Sequence, residues 1–371
     1  MNLVEFKESF GKETIETIGA FANTKGGIVL IGVSDNGTIH GVQLSRETLV
    51  NWANQISQST EPTVIPDIDT IQVDGKTIVI IRIDEFPIKP VSVRGRCFKR
   101  VKNSNRLMTP KGIAEMHLYT TGRSWDALPV DDASMDDIDF EKVREYIKKA
   151  NATGRRKINK TEDEHTVLEK LELIKDGKPT WASILLFGKN PQRFCILATI
   201  HCGRFKTDTI IVDDRMIEGT ILEQIDEAMD FIRKNINVKF VITGRPQREE
   251  IWDYPLDALR EAVINAVCHR DYTDSSDIQI RIYDDQLMVW SPSPLPFGIS
   301  LEDLRKPHKS VPRNKLIASV FFDLGLIEKW GSGIKRMIDE CKKAGLPEPE
   351  LVEYQGFRVI FRKDIYTEEY M

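Results

Sequence analysis

No apolar run among the 371 residues approaches the ~20 needed to cross a bilayer. The opening residues are mixed and include Glu5, where a secretory signal would be basic and then apolar. These absences argue against a membrane partner, and a cytoplasmic protein is expected. Cysteine is sparse: Cys97, Cys195, Cys202, Cys268 and Cys341 are odd in number and never form a C-x-x-C pair, which disfavours a disulfide framework or a zinc site. The formal net charge of -5 excludes a chain that is basic throughout. A local absence says more. Between Phe86 and Ala114 there is no Asp or Glu, while Lys89, Arg94, Arg96, Lys99, Arg100, Lys102, Arg106 and Lys111 are all basic. Such a patch can bind phosphates even on an acidic protein.

What is there is the composition of a folded protein, 41% hydrophobic and 29% charged, with length enough for two or three domains. The N-terminal part is organised around Phe21-Ala22-Asn23-Thr24-Lys25-Gly26-Gly27 and the apolar run Ile28 to Val33. Ile15, Ile18, Phe21 and Ala22 form a stripe at helical spacing. Asn23 and Thr24 end that helix because their side chains compete for backbone hydrogen bonds. The glycine pair permits positive φ, the apolar run has the length of a buried strand, and Asp35-Asn36-Gly37 closes it with turn residues.

An amphipathic helix is expected around Arg46 to Ser57, then a hairpin of Thr70 to Val73 and Thr77 to Ile83 through Asp74-Gly75. Val91 to Val101 alternates apolar and basic residues, which predicts a strand with Val93, Cys97 or Phe98, and Val101 inward and with Arg94, Arg96 and Arg100 outward. The adjoining Asn103-Ser104-Asn105-Arg106 loop adds polar donors for phosphate contact.

An acidic run from Asp131 to Glu141 marks a boundary, with Asp139 capping a helix from Phe140 to Ala150. Gly154-Arg155-Arg156-Lys157 reads as a surface loop. Helices are expected over Thr161 to Leu173 and Glu218 to Ile236, a helix or strand over Trp181 to Gly188, and a central strand over Arg193 to Phe205 that packs His201 and Cys202. Further on, Pro255 starts a helix whose Leu256, Leu259, Val263, Ala266 and Val267 share one face, with Glu261, Asn265 and Cys268 on the other. A carboxylate and an amide one turn apart could orient a water and hold Mg²⁺, respectively. Two strands, Ile278 to Tyr283 and Leu287 to Trp290, flank Asp284-Asp285. Gly331 and Gly333 would let amides approach phosphates at a helix N-terminus.

Two resemblances organise these readings. Glu5-Phe6-Lys7, Ala20 to Gly27, Ile31-Gly32-Val33-Ser34-Asp35-Asn36-Gly37 and Ile39-His40-Gly41 resemble the Schlafen/AlbA-type nucleic-acid-binding domain, over about the first 120 residues. That family carries a basic strand of the form Tyr/Phe-x-Arg, matched by Cys97-Phe98-Lys99-Arg100. The resemblance implies contact of Lys25, Arg94, Arg96, Lys99, Arg100, Lys102 and Arg106 with DNA or RNA. Schlafen nucleases also use an acidic cluster with a divalent metal, which implies Glu5 and Asp35 as ligands of Mg²⁺ or Mn²⁺; the cluster's first Glu would fall before Met1.

Leu259 to Tyr272 resembles the N-box helix of the gyrase, heat-shock chaperone and histidine kinase (GHKL) ATPases, and Glu261 to Phe361 looks like the divergent ATPase domain often fused behind AlbA-type domains in bacterial and archaeal regulators. This implies ATP and Mg²⁺ as cofactors, Asn265 on the metal, Glu261 as the base, and Asp284, Gly331 and Gly333 around the nucleotide. Ser310-Val311-Pro312-Arg313-Asn314 and Gly325 to Ile334, with Lys329 and Trp330, supply the later elements. The usual glycine-rich turn is here Ser291-Pro292-Ser293-Pro294-Leu295-Pro296, and proline removes an amide donor.

The expectation is a multi-domain α/β (α+β) chain: an AlbA-like mixed sheet with helices at 1–122, an acidic linker and middle α/β region at 123–245, and a GHKL-like α/β sandwich at 246–371. Functionally, a nucleic-acid-binding, homo-oligomeric regulator of transcription with a nucleotide-sensing domain stands against a metal-dependent nuclease acting on RNA or DNA in defence; weak ATPase activity fits the first.

Overall fold

The computed structural model describes residues 3–159, 161–241, 249–296, 299–306, 311–328 and 331–363. Met1, Ser310, Lys329 and Trp330 lie outside the described residues. The chain divides into two compact units, Met1–Arg123 and Ser124–Met371.

The first unit runs β1 (Val4–Lys7), α1 (Lys12–Ala22), β2 (Gly27–Ile31), α2 (Thr48–Ser59), β3 (Thr60–Glu61), β4 (Asp67–Val73), β5 (Lys76–Ile83), β6 (Ser92–Val93), β7 (Arg96–Val101), β8 (Ser104–Leu107) and α3 (Pro110–Thr120). Two four-stranded sheets result, in the orders β1-β2-β5-β4 and β3-β6-β7-β8. The pairing of β1 with β2 is parallel, which makes the first sheet mixed. Helix α1 buries Ile15, Ile18 and Phe21 in a core with Val29 and Ile31 of β2 and Val79 and Ile81 of β5. Between α1 and β2 the chain turns at Gly26, where φ is +71° and a Cβ would stand 2.5 Å from the Ile83 carbonyl. Only glycine meets both demands.

The second unit runs α4 (Phe140–Thr153), α5 (Glu164–Lys170), β9 (Ile174–Lys175), β10 (Lys178–Pro179), α6 (Trp181–Phe187), β11 (Ile200–Thr207), β12 (Ile210–Ile217), α7 (Ile221–Asn235), β13 (Val238–Val241), β14 (Glu249–Trp252), α8 (Leu256–His269), β15 (Ile278–Ile282), β16 (Gln286–Ser291), α9 (Leu301–Leu304), α10 (Lys315–Asp323), α11 (Gly333–Lys343), β17 (Glu350–Glu353) and β18 (Phe357–Arg362). Its main sheet has the order β12-β11-β15-β16-β18-β17. Strand β11, from the segment taken as a middle region, pairs in parallel with β15 from the C-terminal segment. Segments 123–245 and 246–371 therefore share one sheet and one core, in which Ile225 and Ile232 of α7 meet Leu259 and Val263 of α8.

Three distant residues organise the ends of α10. The buried Asp126 accepts from the Ile317 N–H at 2.9 Å and so caps the start of the helix from outside it. At the other end Arg155 donates to the Phe322 and Ile327 carbonyls, at 3.3 and 2.7 Å, and pairs with Glu328. Arg156 bonds the buried Asp323 at 2.6 Å. The Gly154-Arg155-Arg156 cluster, expected as a surface loop, is thus a helix clamp.

Candidate nucleic-acid interface and nucleotide pocket

Strand β7 lies between two apolar layers, and this fixes which of its basic residues are free. Phe98 and Arg100 share one face by the two-residue period. That face meets α1: the Arg100 guanidinium sits 5.3 Å over the Phe21 ring, is 2% exposed, and ion-pairs with Glu5. On the opposite face Cys97 packs with Met108 and Met116, next to α3. The expected phase is therefore corrected: Arg100 points inward and Val101, 39% exposed, points out. Lys89 is also buried, against Glu85 and the Thr24 carbonyl.

The remaining cations form the candidate interface. Arg94, Arg96, Lys102 and Arg106 are exposed and Lys99 is half-buried. No carboxylate among the described residues pairs with any of the five. Lys99 and Arg106 stand directly opposite each other across β7 and β8. Facing like charges destabilise a sheet, and a phosphate between them relieves the repulsion. The hairpin tips repeat the theme. Arg94 and Lys102 take positive φ, 50° and 55°, where glycine, Asn or Asp is usual. Lys25 is exposed in the turn after α1.

The two carboxylates read as metal ligands differ in surroundings. Glu5 has both oxygens engaged, Oε1 by Lys7 at 3.1 Å and Oε2 by Arg100. Asp35 is exposed in the turn that follows β2. Among the described residues no group of three or more His, Cys, Asp or Glu is placed to hold a metal.

Asn23 carries a role that the helix-ending argument missed. Its side-chain amide donates to the Val91 and Phe98 carbonyls, at 2.7 and 2.9 Å, and its oxygen accepts from the Val91 N–H at 2.6 Å. The turn after α1 is thereby fastened to the second sheet. An Asn followed by Thr at a helix end signals a stop; only the fold shows that the amide bonds backbone 68 and 75 residues away.

In the second unit α8, β16, α11 and the Ser291 to Pro296 segment enclose a pocket of about 1040 Å³, open mouth included. Glu261, Asn265, Gly331 and Gly333 all line it. Glu261 and Cys268, expected on the polar face of α8, are both buried, because that face is covered by the rest of the unit. Burial pushes the Cys268 thiol far above its ordinary range. Asn265 donates to Glu261 Oε1 at 3.1 Å, and Arg336, which sequence reasoning missed, ion-pairs with Oε2. Arg336 lies three residues after Gly333 on the facing α11, one turn into the helix, and that spacing was a usable signal. The Ser-Pro-Ser-Pro segment contributes Ser291, Ser293, Pro294, Leu295 and Pro296 to the wall, with Ser293 accepting from the Asp271 N–H. Asp284 does not join this group. It sits in the β15–β16 turn, at the opposite end of β16 from Ser291, and pairs with Arg204, which holds its carboxyl below the usual range.

Comparison with known proteins follows the same division. Residues 1–109 match the family described as Schlafen, AlbA_2, and residues 275–361 match the family described as "Putative ATP-dependent DNA helicase recG C-terminal". Residues 115–200 match a domain of unknown function. The chain therefore carries an N-terminal Schlafen/AlbA_2 domain and a RecG-like C-terminal domain of the ATPase type. The second match begins after α8, so Glu261 and Asn265 rest on geometry. Among solved structures, the DIP2311 protein from Corynebacterium diphtheriae shares this fold, with a TM-score of 0.53 at 23% identity over 98% of this chain and 75% of that one. The N-terminal domain of a RecG-related protein from Nitrosomonas europaea is 24% identical over 29% of this chain and 82% of its own, with a TM-score of 0.22. No curated protein matches the chain.

Proposed function

We propose that the chain is a nucleic-acid-binding regulator, acting in transcription, whose C-terminal pocket binds ATP. The observation that carries the first half is the set of five basic side chains on the β6–β8 ribbon, two of them face to face, with no carboxylate among the described residues to neutralise them. Such cations supply sequence-independent affinity for phosphates. The Schlafen/AlbA_2 match supports this reading.

The residues around the pocket fit a nucleotide. Gly333 opens α11 against Glu261 and Asn265, where a side chain would collide with the Glu261 carboxylate, and a helix N-terminus favours phosphates. The walls Ala262, Ala266, Val289, Ile299 and Val359 are apolar, as a base requires. Asn265 would hold Mg²⁺, which neutralises phosphate charge when bound, and Glu261 would serve as the base. Three prolines in the Ser291 to Pro296 segment, two of them in the pocket wall, lower the number of amide donors, and this favours slow turnover or sensing over rapid hydrolysis. The nuclease reading is not favoured, since both Glu5 oxygens are committed to cations.

The test is fluorescence anisotropy with labelled DNA and RNA. Replacing Arg96, Lys99 and Arg106 together by Glu should weaken binding by about 100-fold or more at moderate salt, with the melting temperature unchanged. Undiminished binding overturns the interface. For the pocket, ATP with Mg²⁺ should raise the melting temperature of the wild-type chain, and no shift overturns the nucleotide reading.

A further inference from the structure

Glu261 is 5% exposed and is approached from three sides. Arg336 pairs with one oxygen, and Asn265 donates to the other. Gly333 stands so near that a Cβ there would lie 2.1 Å from Oε1. The Arg336 side chain is itself 47% exposed, so it reaches the carboxylate from the solvent side and can leave without disturbing the core. It starts on the first turn of α11, and Ser332, at that helix's N-cap, makes no side-chain capping bond. The first-turn amides of α11 and the exposed Arg336 guanidinium thus lie at the acidic end of the pocket.

We propose that Arg336 is a phosphate-exchange residue: without ligand it neutralises Glu261, and with a nucleoside polyphosphate its guanidinium moves to the outermost phosphate and releases Glu261. The proposal rests on the nucleotide reading given above. A guanidinium matches a phosphate as a two-pronged donor, whereas here it contacts a single carboxylate oxygen, so the exchange improves its bonding. It also makes the freed carboxylate, the one able to serve a divalent cation or a water, conditional on the number of phosphates. Arg336 is then the residue that distinguishes a nucleoside triphosphate from a nucleoside.

The experiment titrates the full chain with ATP and with adenosine by calorimetry, in EDTA so that no metal contributes. It compares wild type, Glu261→Gln and the double variant Glu261→Gln/Arg336→Ala. The double variant removes both members of the ion pair and leaves no buried charge behind, which protects the fold. In the Glu261→Gln background Arg336 is free, and deleting it should weaken ATP binding about tenfold or more while adenosine changes by less than about twofold. Equal ATP affinity of the single and double variants overturns the proposal, because Arg336 would then act only by neutralising Glu261. A parallel titration of wild type with ATP and Mg²⁺ controls for the absent metal; failure to bind there as well overturns the nucleotide reading, and the proposal falls with it.

Discussion

Replacing Asn23 by Ala should loosen the ribbon that carries the proposed interface, although Asn23 never reaches its surface. The side chain makes three hydrogen bonds to the Val91 and Phe98 backbone, and both Asn23 and Val91 are fully buried, so water cannot take its place. The substitution leaves one N–H and two carbonyl groups without their partner. At about 1–3 kcal/mol for each buried group left unsatisfied, with partial relaxation, the cost is about 3–6 kcal/mol. That is a large share of the ~5–15 kcal/mol that holds a domain together. Amide hydrogen exchange read by mass spectrometry on peptides spanning 91–101 localises the effect. Protection there should fall by several orders of magnitude, while peptides of the second unit exchange as in wild type. Wild-type protection over 91–101 in the variant would refute the reasoning.

The other predictions separate structural from surface cations and test one buried acid. Arg100→Ala should destabilise by about 3–5 kcal/mol, since it leaves Glu5 with Lys7 alone and removes the contact with Phe21, whereas Arg96→Ala should stay within about 0.5 kcal/mol. Urea titration of both variants checks this, and equal midpoints would contradict the assignment of Arg100 to the interior. Asp126 is fully buried, and burial raises its pKa above the ordinary value despite the Ser124 and backbone donors. The folded chain therefore holds this proton to higher pH than the unfolded chain. The stability it contributes is complete below the unfolded value of about 3.9 and is lost as pH rises through the raised folded value. Asp126→Asn keeps an acceptor for the Ile317 N–H without the charge. Its melting temperature relative to wild type should climb with pH from about 4 and then level off; a difference that is flat in pH would count against the assignment.

Much of this architecture was legible beforehand because the signals were local. The stripe of Ile15, Ile18 and Phe21, the stop at Asn23, the Asp74-Gly75 turn and the amphipathic α7 and α8 follow from periodicity and turn chemistry, and the structure has each of them. The phase of β7 was not legible. Alternation tells which residues share a face, but with apolar layers on both sides of the strand it does not tell which face is covered, and Arg100 was put on the wrong one. Roles that join distant segments were hidden for the same reason. Asn23 on Val91, Asp126 on α10, Arg155 on α10 and Arg336 on Glu261 are all pairings across the chain that no local pattern carries. Glu261, Asn265, Gly331 and Gly333, drawn together by their resemblance to a known helix and glycine turn, line one pocket. Asp284 was drawn in with them and lies at the far end of β16.

Binding of the phosphate backbone by the five cations on the β6–β8 ribbon is tested most directly by the salt dependence of binding. Titrating labelled duplex DNA with the full chain at several salt concentrations should give log K falling against log[salt] with a slope of about -4.5 if all five cations each displace a counterion. Arg96→Ala combined with Arg106→Ala should reduce the magnitude of that slope by about 1.8, with the melting temperature unchanged. A slope near zero, or one that the double variant leaves unaltered, would contradict the claim.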